Sequence, residues 1–233
     1  MSQKLLLLSV ITITVLQSAV SQETFTANNT AKPNNDSLWY FHPFSIDLLA
    51  GVWFPAGKLS QYYHPSAQFG GSLGIMITRK MRLQFWIMPR LLQPAKPIGI
   101  MVNDSIIYNS KKNSGASLGG WISRTVYQNK RMSAELISGI TWEDIGTNVE
   151  NPNRRNKYDS LLSISSVGMS FGVNSWINTF KKLNFGVRAV YTYSTYDKSK
   201  NLAQPIGGSS MTVSLVYRFP KRRPSYKEYY TLK

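Results

Sequence analysis

The stretch FSIDLLAGVWF, residues 44–54, alternates with a period of two: Phe44, Ile46, Leu48, Ala50, Val52 and Phe54 fall on one side, and Ser45, Asp47, Gly51 and Trp53 on the other. A helix would space its apolar residues three and four apart, whereas strict alternation predicts a strand with one greasy and one polar face.

The same pattern recurs along the chain. Phe69, Leu73, Ile75 and Ile77 oppose Gln68, Gly70, Ser72 and Gly74, and Met81, Leu83, Phe85, Ile87 and Leu91 oppose Arg82, Gln84, Trp86 and Arg90. A fourth strand, about Ala116 to Tyr127, is less regular, with Leu118, Ile122 and Val126 on the apolar side together with Arg124 near the strand end. Met132, Ala134, Leu136, Ile140 and Trp142 then oppose Ser133, Glu135, Gly139, Thr141 and Glu143. A sixth strand runs over Leu161–Val173, a seventh carries Leu183 to Tyr193 against Asn184, Gly186, Arg188, Thr192 and Ser194, and the last sets Met211 to Phe219 against Thr212, Ser214 and Arg218.

The links between these strands alternate in length. Arg79-Lys80, Gln128-Asn129-Lys130 and a turn from Trp176 to Lys182 are short; Pro55 to Pro65, Gln93 to Asn113, Asp144 to Ser160 and Asp197 to Ile206 are long. Short turns on one side and long loops on the other is the arrangement of barrels that cross a membrane. The prediction is an all-β, eight-stranded antiparallel up-and-down transmembrane β-barrel. Ile98 to Val102 and Ile106 to Tyr108, around Asn103-Asp104-Ser105, read as two further short strands, either a hairpin beyond the membrane or an increase to ten.

A soluble barrel of the same strand count also alternates, with its apolar face inward. The polar face here is too small to be a water-facing surface: Gly70, Ser72, Gly74, Ser117, Gly119, Ser166, Gly168, Ser170, Gly172 and Gly186 suit a crowded lumen. The apolar face therefore points to lipid. Aromatics gather near the long loops (Phe54, Trp142, Tyr191, Tyr193, Tyr196) and near the short turns (Phe44, Trp176, Phe180, Phe185, Tyr217, Phe219), as interfacial girdles do.

Residues 1–21 read as a signal peptide: Lys4, an apolar run from Leu5 to Val20, and Ala19-Val20-Ser21 before Gln22. Residues 22–41 form a polar periplasmic leader, 42–219 the barrel and 220–233 a basic periplasmic tail. Cys is 0, which excludes disulfides, thiolate metal sites and a lipid on an N-terminal cysteine. The net charge is +16, from Lys+Arg 27 against Asp+Glu 11. Such a balance often signals nucleic acid. Export argues against that partner, and the expected counter-charge is lipid or lipopolysaccharide phosphate.

With those residues in place, the chain resembles the small outer-membrane barrels of the OmpA and OmpX type. It is most similar to outer-membrane β-barrel-domain proteins of Bacteroidota, the porin-family and PorT-like group. The resemblance rests on the Ser21-Gln22 exit, Leu49-Ala50-Gly51-Val52 leading into Pro55-Ala56-Gly57, the Gly70 to Gly74 stretch, and Val213 to Phe219. Family barrels often end at a terminal aromatic, whereas here Phe219 is followed by Pro220-Lys221-Arg222-Arg223. The resemblance implies a place in the bacterial outer membrane, and for PorT-like relatives an accessory role in protein secretion.

Gly70-Gly71-Ser72-Leu73-Gly74 and Gly168-Met169-Ser170-Phe171-Gly172 match the G-x-S-x-G hydrolase elbow, but no His follows Ser72 among the histidines His42 and His64, and the motif needs a strand-to-helix turn. Both read as inward small residues, His64 as a loop histidine, and no metal-ligand spacing is present. Asp47, Arg82, Glu135 and Arg188 are expected in the lumen half nearer the periplasm, as a charge network across it. The basic residues Arg79, Lys80, Lys130, Arg131, Lys181, Lys182, Arg222 and Arg223 are expected at the periplasmic side, against lipid phosphate. The tail, with Tyr226, Tyr229 and Tyr230, is a candidate dock for a periplasmic protein.

The reading is a non-enzymatic, cofactor-free barrel with a structural or interaction role. A narrow channel, a secretion accessory and an outer-membrane lipid-modifying enzyme stand as alternatives.

Overall fold

The computed structural model describes residues 44–78, 80–109, 114–128, 132–153, 161–180, 183–196 and 202–219. The expected signal peptide, leader and tail lie outside them.

Eight long strands carry the alternating segments: β1 (Phe44–Gly57), β3 (Ser66–Met76), β4 (Met81–Leu91), β8 (Ser114–Gln128), β9 (Met132–Glu150), β10 (Leu161–Phe180), β11 (Leu183–Ser194) and β12 (Gly208–Arg218). They pair antiparallel with their chain neighbours, and β1 also pairs with β12, closing the barrel. Closure leaves no unpaired sheet edge, the condition for a β-structure in a bilayer. The question of ten strands is resolved as eight. β6 (Ile98–Val102) and β7 (Ser105–Asn109) form a separate two-stranded sheet, as do β2 (Tyr63–His64) and β5 (Gln93–Pro94). The β6–β7 turn places Asn103 at φ 48° and Asp104 at φ 61°, the left-handed pair that suits the twist of a tight hairpin.

The period of two decides the burial. Along β1, Phe44, Ile46, Leu48, Ala50, Val52 and Phe54 are exposed while Asp47, Leu49 and Trp53 are buried. The outward set continues around the barrel through Leu73, Phe85, Leu118, Ile140, Val167, Val187 and Leu215, each at least two-fifths exposed. Charges on the outer face of the described strands lie toward the ends: Arg124 near the short turns, Asp144 and Glu150 in the part of β9 nearer the long loops. A charge at mid-depth on that face would cost about 2–4 kcal/mol. At the short-turn rim, Phe185, Tyr217 and Phe219 pack ring to ring, with centroids 5.1 Å apart in each pair.

Two strands run further than the sequence reading drew them. β9 continues past Asp144 to Glu150, and β10 past Val173 to Phe180, so Trp176 to Phe180 belong to a strand and not to the third short turn. Two girdle assignments are corrected in consequence. Trp176 faces the lumen, 3 % exposed, and Tyr196 is buried at the long-loop end, 1 % exposed. Both occupy inward register, where neighbouring strands offer a small residue or a polar partner.

The inward glycines answer to the lumen tryptophans. Trp121 lies across from Gly139, Trp86 from Gly119 and Trp176 from Gly186. A Cβ on Gly139 would come within 2.5 Å of the Trp121 Cα and Cβ, and one on Gly186 within 2.8 Å of the Trp176 ring. Glycine is thus what lets an indole lie flat across the wall of so narrow a barrel.

Candidate functional site: a bonded lumen beneath a folded cap

An eight-stranded barrel has room inside for side chains and little else. The inward side chains stack in levels. Nearest the short turns is a polar ring centred on Asp47. Arg218 donates to it twice, Nε to Oδ1 at 2.7 Å and Nη2 to Oδ2 at 3.0 Å. Ser72 and Gln84 Nε2 also donate to Oδ2, at 3.3 and 3.2 Å, and Arg188 Nη2 lies 3.5 Å from it. Arg188 Nε donates to Asn174 Oδ1 at 2.7 Å, and Asn174 Nδ2 donates to Glu135 Oε2 at 3.1 Å. Arg82 and Arg218 face the other Glu135 oxygen at 3.8 and 3.9 Å. Trp121 Nε1 completes the set by donating to Gln84 Oε1 at 2.8 Å. Each of the eight barrel strands contributes one member or more.

Above the ring lies an apolar level of Leu49, Trp86, Met88, Ile137, Val190 and Val216, continuous with Trp121 of the ring and with Trp176, which is two residues nearer the short turn than Asn174. Trp86 and Trp121 stack there at 4.8 Å between centroids. The Arg188 and Arg218 guanidiniums lie over the Trp121 and Trp176 rings at 4.9 and 3.9 Å, so the cations sit against π-faces as well as carboxylates.

A second polar level follows. Arg90 Nη2 meets Glu143 Oε1 at 2.9 Å, and Arg90 also donates to Gln68 Oε1 at 3.2 Å and Ser117 Oγ at 2.9 Å. The other Glu143 oxygen accepts from Tyr196 at 2.7 Å and Ser194 at 3.2 Å. Both charged groups of the pair are essentially excluded from solvent, with side chains 3 % and 0 % exposed. Burial first, and the neighbouring Glu143 carboxylate next, push the Tyr196 hydroxyl well above its ordinary range.

The described parts of the long loops fold over this end. Trp53, Leu59, Tyr63, Leu92, Ile98, Ile100, Ile145, Val149, Ile164, Tyr196 and Ile206 form one buried hydrophobic cluster. Loop crosslinks hold it: Ala203 N donates to Gly99 O at 3.0 Å, Ala95 N to Tyr62 O at 2.7 Å, and Ile100 bridges Leu202. The cap core is thus built from the loops on a base of Trp53, Ile145, Val149 and Ile164 from the barrel strands.

Asp47, Arg82, Glu135 and Arg188 are brought into one cluster, with Arg218, Asn174, Gln84 and Trp121 as members the sequence reading placed at most on the polar face. The Arg90–Glu143 pair was likewise missed. Its signal was parity and depth, since both residues are inward and both lie many residues past a short turn. Of the basic turn residues, Lys80 is exposed beside β3. Arg79, Lys130, Arg131, Lys181, Lys182, Arg222 and Arg223 lie outside the described residues.

The serines of the two G-x-S-x-G stretches are straight strand positions. Ser72 is bonded to Asp47, and Ser170 to Thr141 and Thr192. His64 is exposed and paired through its backbone to Gln93. Among the described residues no group of His, Cys, Asp and Glu is placed to hold a metal ion.

The closed wall, apolar outside and bonded across inside, decides the type. The chain is a membrane-spanning barrel of the outer-membrane kind. No family model and no curated protein matches the sequence. Solved structures do match its fold. Neisserial surface protein A is similar at a TM-score of 0.54 with 12% identity, over 76% of this chain and 97% of that one. The N-terminal β-barrel domain of Pseudomonas aeruginosa OprF (TM-score 0.40, 12% identity, 75% and 97% covered) and a major outer membrane protein of Thermus thermophilus (0.42, 11%, 76% and 100%) are more distant. At these identities the likeness is one of fold, carried by the Neisserial protein.

Proposed function

We propose that this chain is a non-conducting, non-enzymatic barrel of the bacterial outer membrane whose task is to hold a rigid cap of long loops at the cell surface for interaction. The observation that carries the reading is the sequence of levels in the lumen: an ion-bonded ring drawing on all eight strands, an apolar level with stacked indoles, the buried Arg90–Glu143 pair, and the cap core above them. An ion crossing this interior would have to break charge pairs in a low-dielectric space, at several kcal/mol for each stranded charge. The narrow-channel alternative finds no support in that packing.

The outer face of the cap hairpin supplies a contact surface. Met101, Ile106 and Tyr108 project from one side of β6–β7 and are exposed, Tyr108 at 66 %. Lipid and lipopolysaccharide phosphates are the proposed counter-charge of the basic turns, and a periplasmic protein the partner of the basic tail. The secretion-accessory role implied by the PorT-like resemblance would run through that periplasmic side, and loss of secreted proteins in a deletion strain is its test.

Planar-bilayer recording of the refolded mature chain tests the main reading. A flat current across the voltage range is expected; discrete, reproducible conductance steps would overturn it.

A further inference from the structure

Between the two polar levels lies a small cavity of about 10 Å³, lined among others by Gln68, Trp86, Arg90, Arg188 and Ser214. That is room for about one water-sized particle. Four groups in this lining have a polar atom with no protein partner: Gln68 Nε2, Trp86 Nε1, Arg188 Nη1 and Ser214 Oγ. All four residues are more than nine-tenths buried, Arg188 and Ser214 at 1 % exposure. Buried donors without an acceptor are rare in native proteins and call for an explanation.

Their chemistry is one-sided. Three are N–H donors with no acceptor capacity, the fourth is a hydroxyl that can also donate, and the Gln68 carbonyl is already engaged by Arg90. Charge points the same way. Among the described residues the lumen holds the cations Arg82, Arg90, Arg188 and Arg218 against the anions Asp47, Glu135 and Glu143. One positive charge is left over in an interior where an uncompensated charge is costly. A water molecule accepts two hydrogen bonds and must place two hydrogens of its own, for which the side chains of this lining offer hydroxyl oxygens and the second lone pair of the Gln68 carbonyl. A monoatomic anion accepts from every side and supplies the missing charge.

We propose that the cavity is a halide site, holding one chloride ion on the Arg188 guanidinium, the Gln68 amide, the Trp86 indole N–H and the Ser214 hydroxyl. The ion would lie between the two polar levels and tie them together. This inference stands on the lumen chemistry and does not depend on whether the barrel conducts.

The test uses the refolded mature chain in detergent. Its unfolding midpoint, followed by heat-modifiable migration, is compared in sodium chloride, sodium bromide and sodium gluconate at equal ionic strength. The expected result is a saturable rise of a few degrees in both halides and none in gluconate, as for any ligand that binds only the folded state. Gln68→Glu keeps the acceptor for Arg90 and builds the missing negative charge into the wall, so it should abolish the halide dependence without loss of the folded form. Trp86→Phe removes one donor and should shift the dependence to higher halide concentration. Crystals grown in bromide should show an anomalous peak within hydrogen-bonding distance of Arg188 Nη1 and Gln68 Nε2. Equal midpoints in all three salts, an unchanged halide response in Gln68→Glu, or no bromine signal in the cavity would each overturn the proposal.

Discussion

Asp47 and Arg218 lie directly opposite each other in the register of β1 and β12, and their side chains form a two-bond ion pair at 2.7 and 3.0 Å across the seam where the first and last strands meet. The two ends of the barrel are thereby joined through the lumen as well as through the wall. Truncating one partner of a buried pair costs about 3–5 kcal/mol because the other charge is left without compensation. Asp47→Ala strands Arg218 and weakens the hold on Arg188, so it should destabilise by at least that much in urea unfolding. Asp47→Ala with Arg218→Ala should cost less than the sum of the two single changes, and strict additivity would show that the pair is not coupled.

The upper level makes a parallel case with a graded readout. Glu143→Ala leaves Arg90 buried and also frees the Tyr196 hydroxyl, so a loss of about 3–5 kcal/mol is expected. Tyr196→Phe removes one hydrogen bond to a charged acceptor and should cost about 1.5–3 kcal/mol. The ranking is checked on the same denaturant series; a larger loss for Tyr196→Phe would count against it.

Gly139 and Gly120 provide a matched pair for the wall. A Cβ on Gly139 would meet the Gly120 carbonyl oxygen at 2.2 Å and the Trp121 Cα at 2.5 Å, whereas one on Gly120 would meet nothing closer than 3.5 Å. Gly139→Ala should therefore push β8 from β9, with a cost of about 1–3 kcal/mol or more. Gly120→Ala should fold and unfold as the wild type does. Folding yield into lipid vesicles distinguishes them, and equal yields would refute the close approach.

Leu215 is the test of orientation. It is 68 % exposed on the outer face, between the two girdles. Leu215→Arg should cost about 2–4 kcal/mol in a bilayer. Ser214→Arg, one residue away on the inner face, should prevent closure altogether, because the cavity beside that position, about 10 Å³, is far too small for a guanidinium side chain. Equal tolerance of both in vesicles would contradict the inside-out arrangement.

The loop part of the cap core, with Leu59, Ile98, Ile100 and Ile206, lies outside the barrel strands, so it should loosen before the barrel opens. Ile100→Ala removes most of a fully buried side chain from that core. Cavity formation of this kind costs about 2–5 kcal/mol where the surroundings cannot collapse. The expected outcome is faster protease cleavage within the long loops, while heat-modifiable migration of the barrel stays as in the wild type.

Much of the fold was legible because a membrane barrel writes its geometry at the shortest range a chain possesses. In β1 each residue's neighbour but one shares its solvent, so the period of two in residues 44–54 already sorts lipid from lumen. The indoles were harder to place by type. Trp142 and Trp176 look alike in a sequence, yet Trp142 faces lipid and Trp176 the lumen, and the distinction rested on carrying β10 beyond Val173 to Phe180. The sequence reading ends the sixth strand at Val173 and starts a turn at Trp176, whereas Asn174 and Ser175 are the inward and outward members of a continuing strand.

What the sequence determined by itself was therefore what depends on alternation and on the spacing of turns: β class, which side chains of the alternating strands face lipid, and that the lumen carries charge, while eight strands rather than ten followed from closure of the barrel. Which of those charges meet was decided by the tertiary structure alone. Arg218 reaches Asp47, and Arg90 reaches Glu143, because barrel closure and strand stagger bring residues far apart in the chain to one height, and stagger is a property of all eight strands together. The cap follows the same logic. Its buried residues join loop positions such as Leu59, Leu92 and Ile206 to inward positions of β1, β9 and β10, and packing against one another is what made them a core.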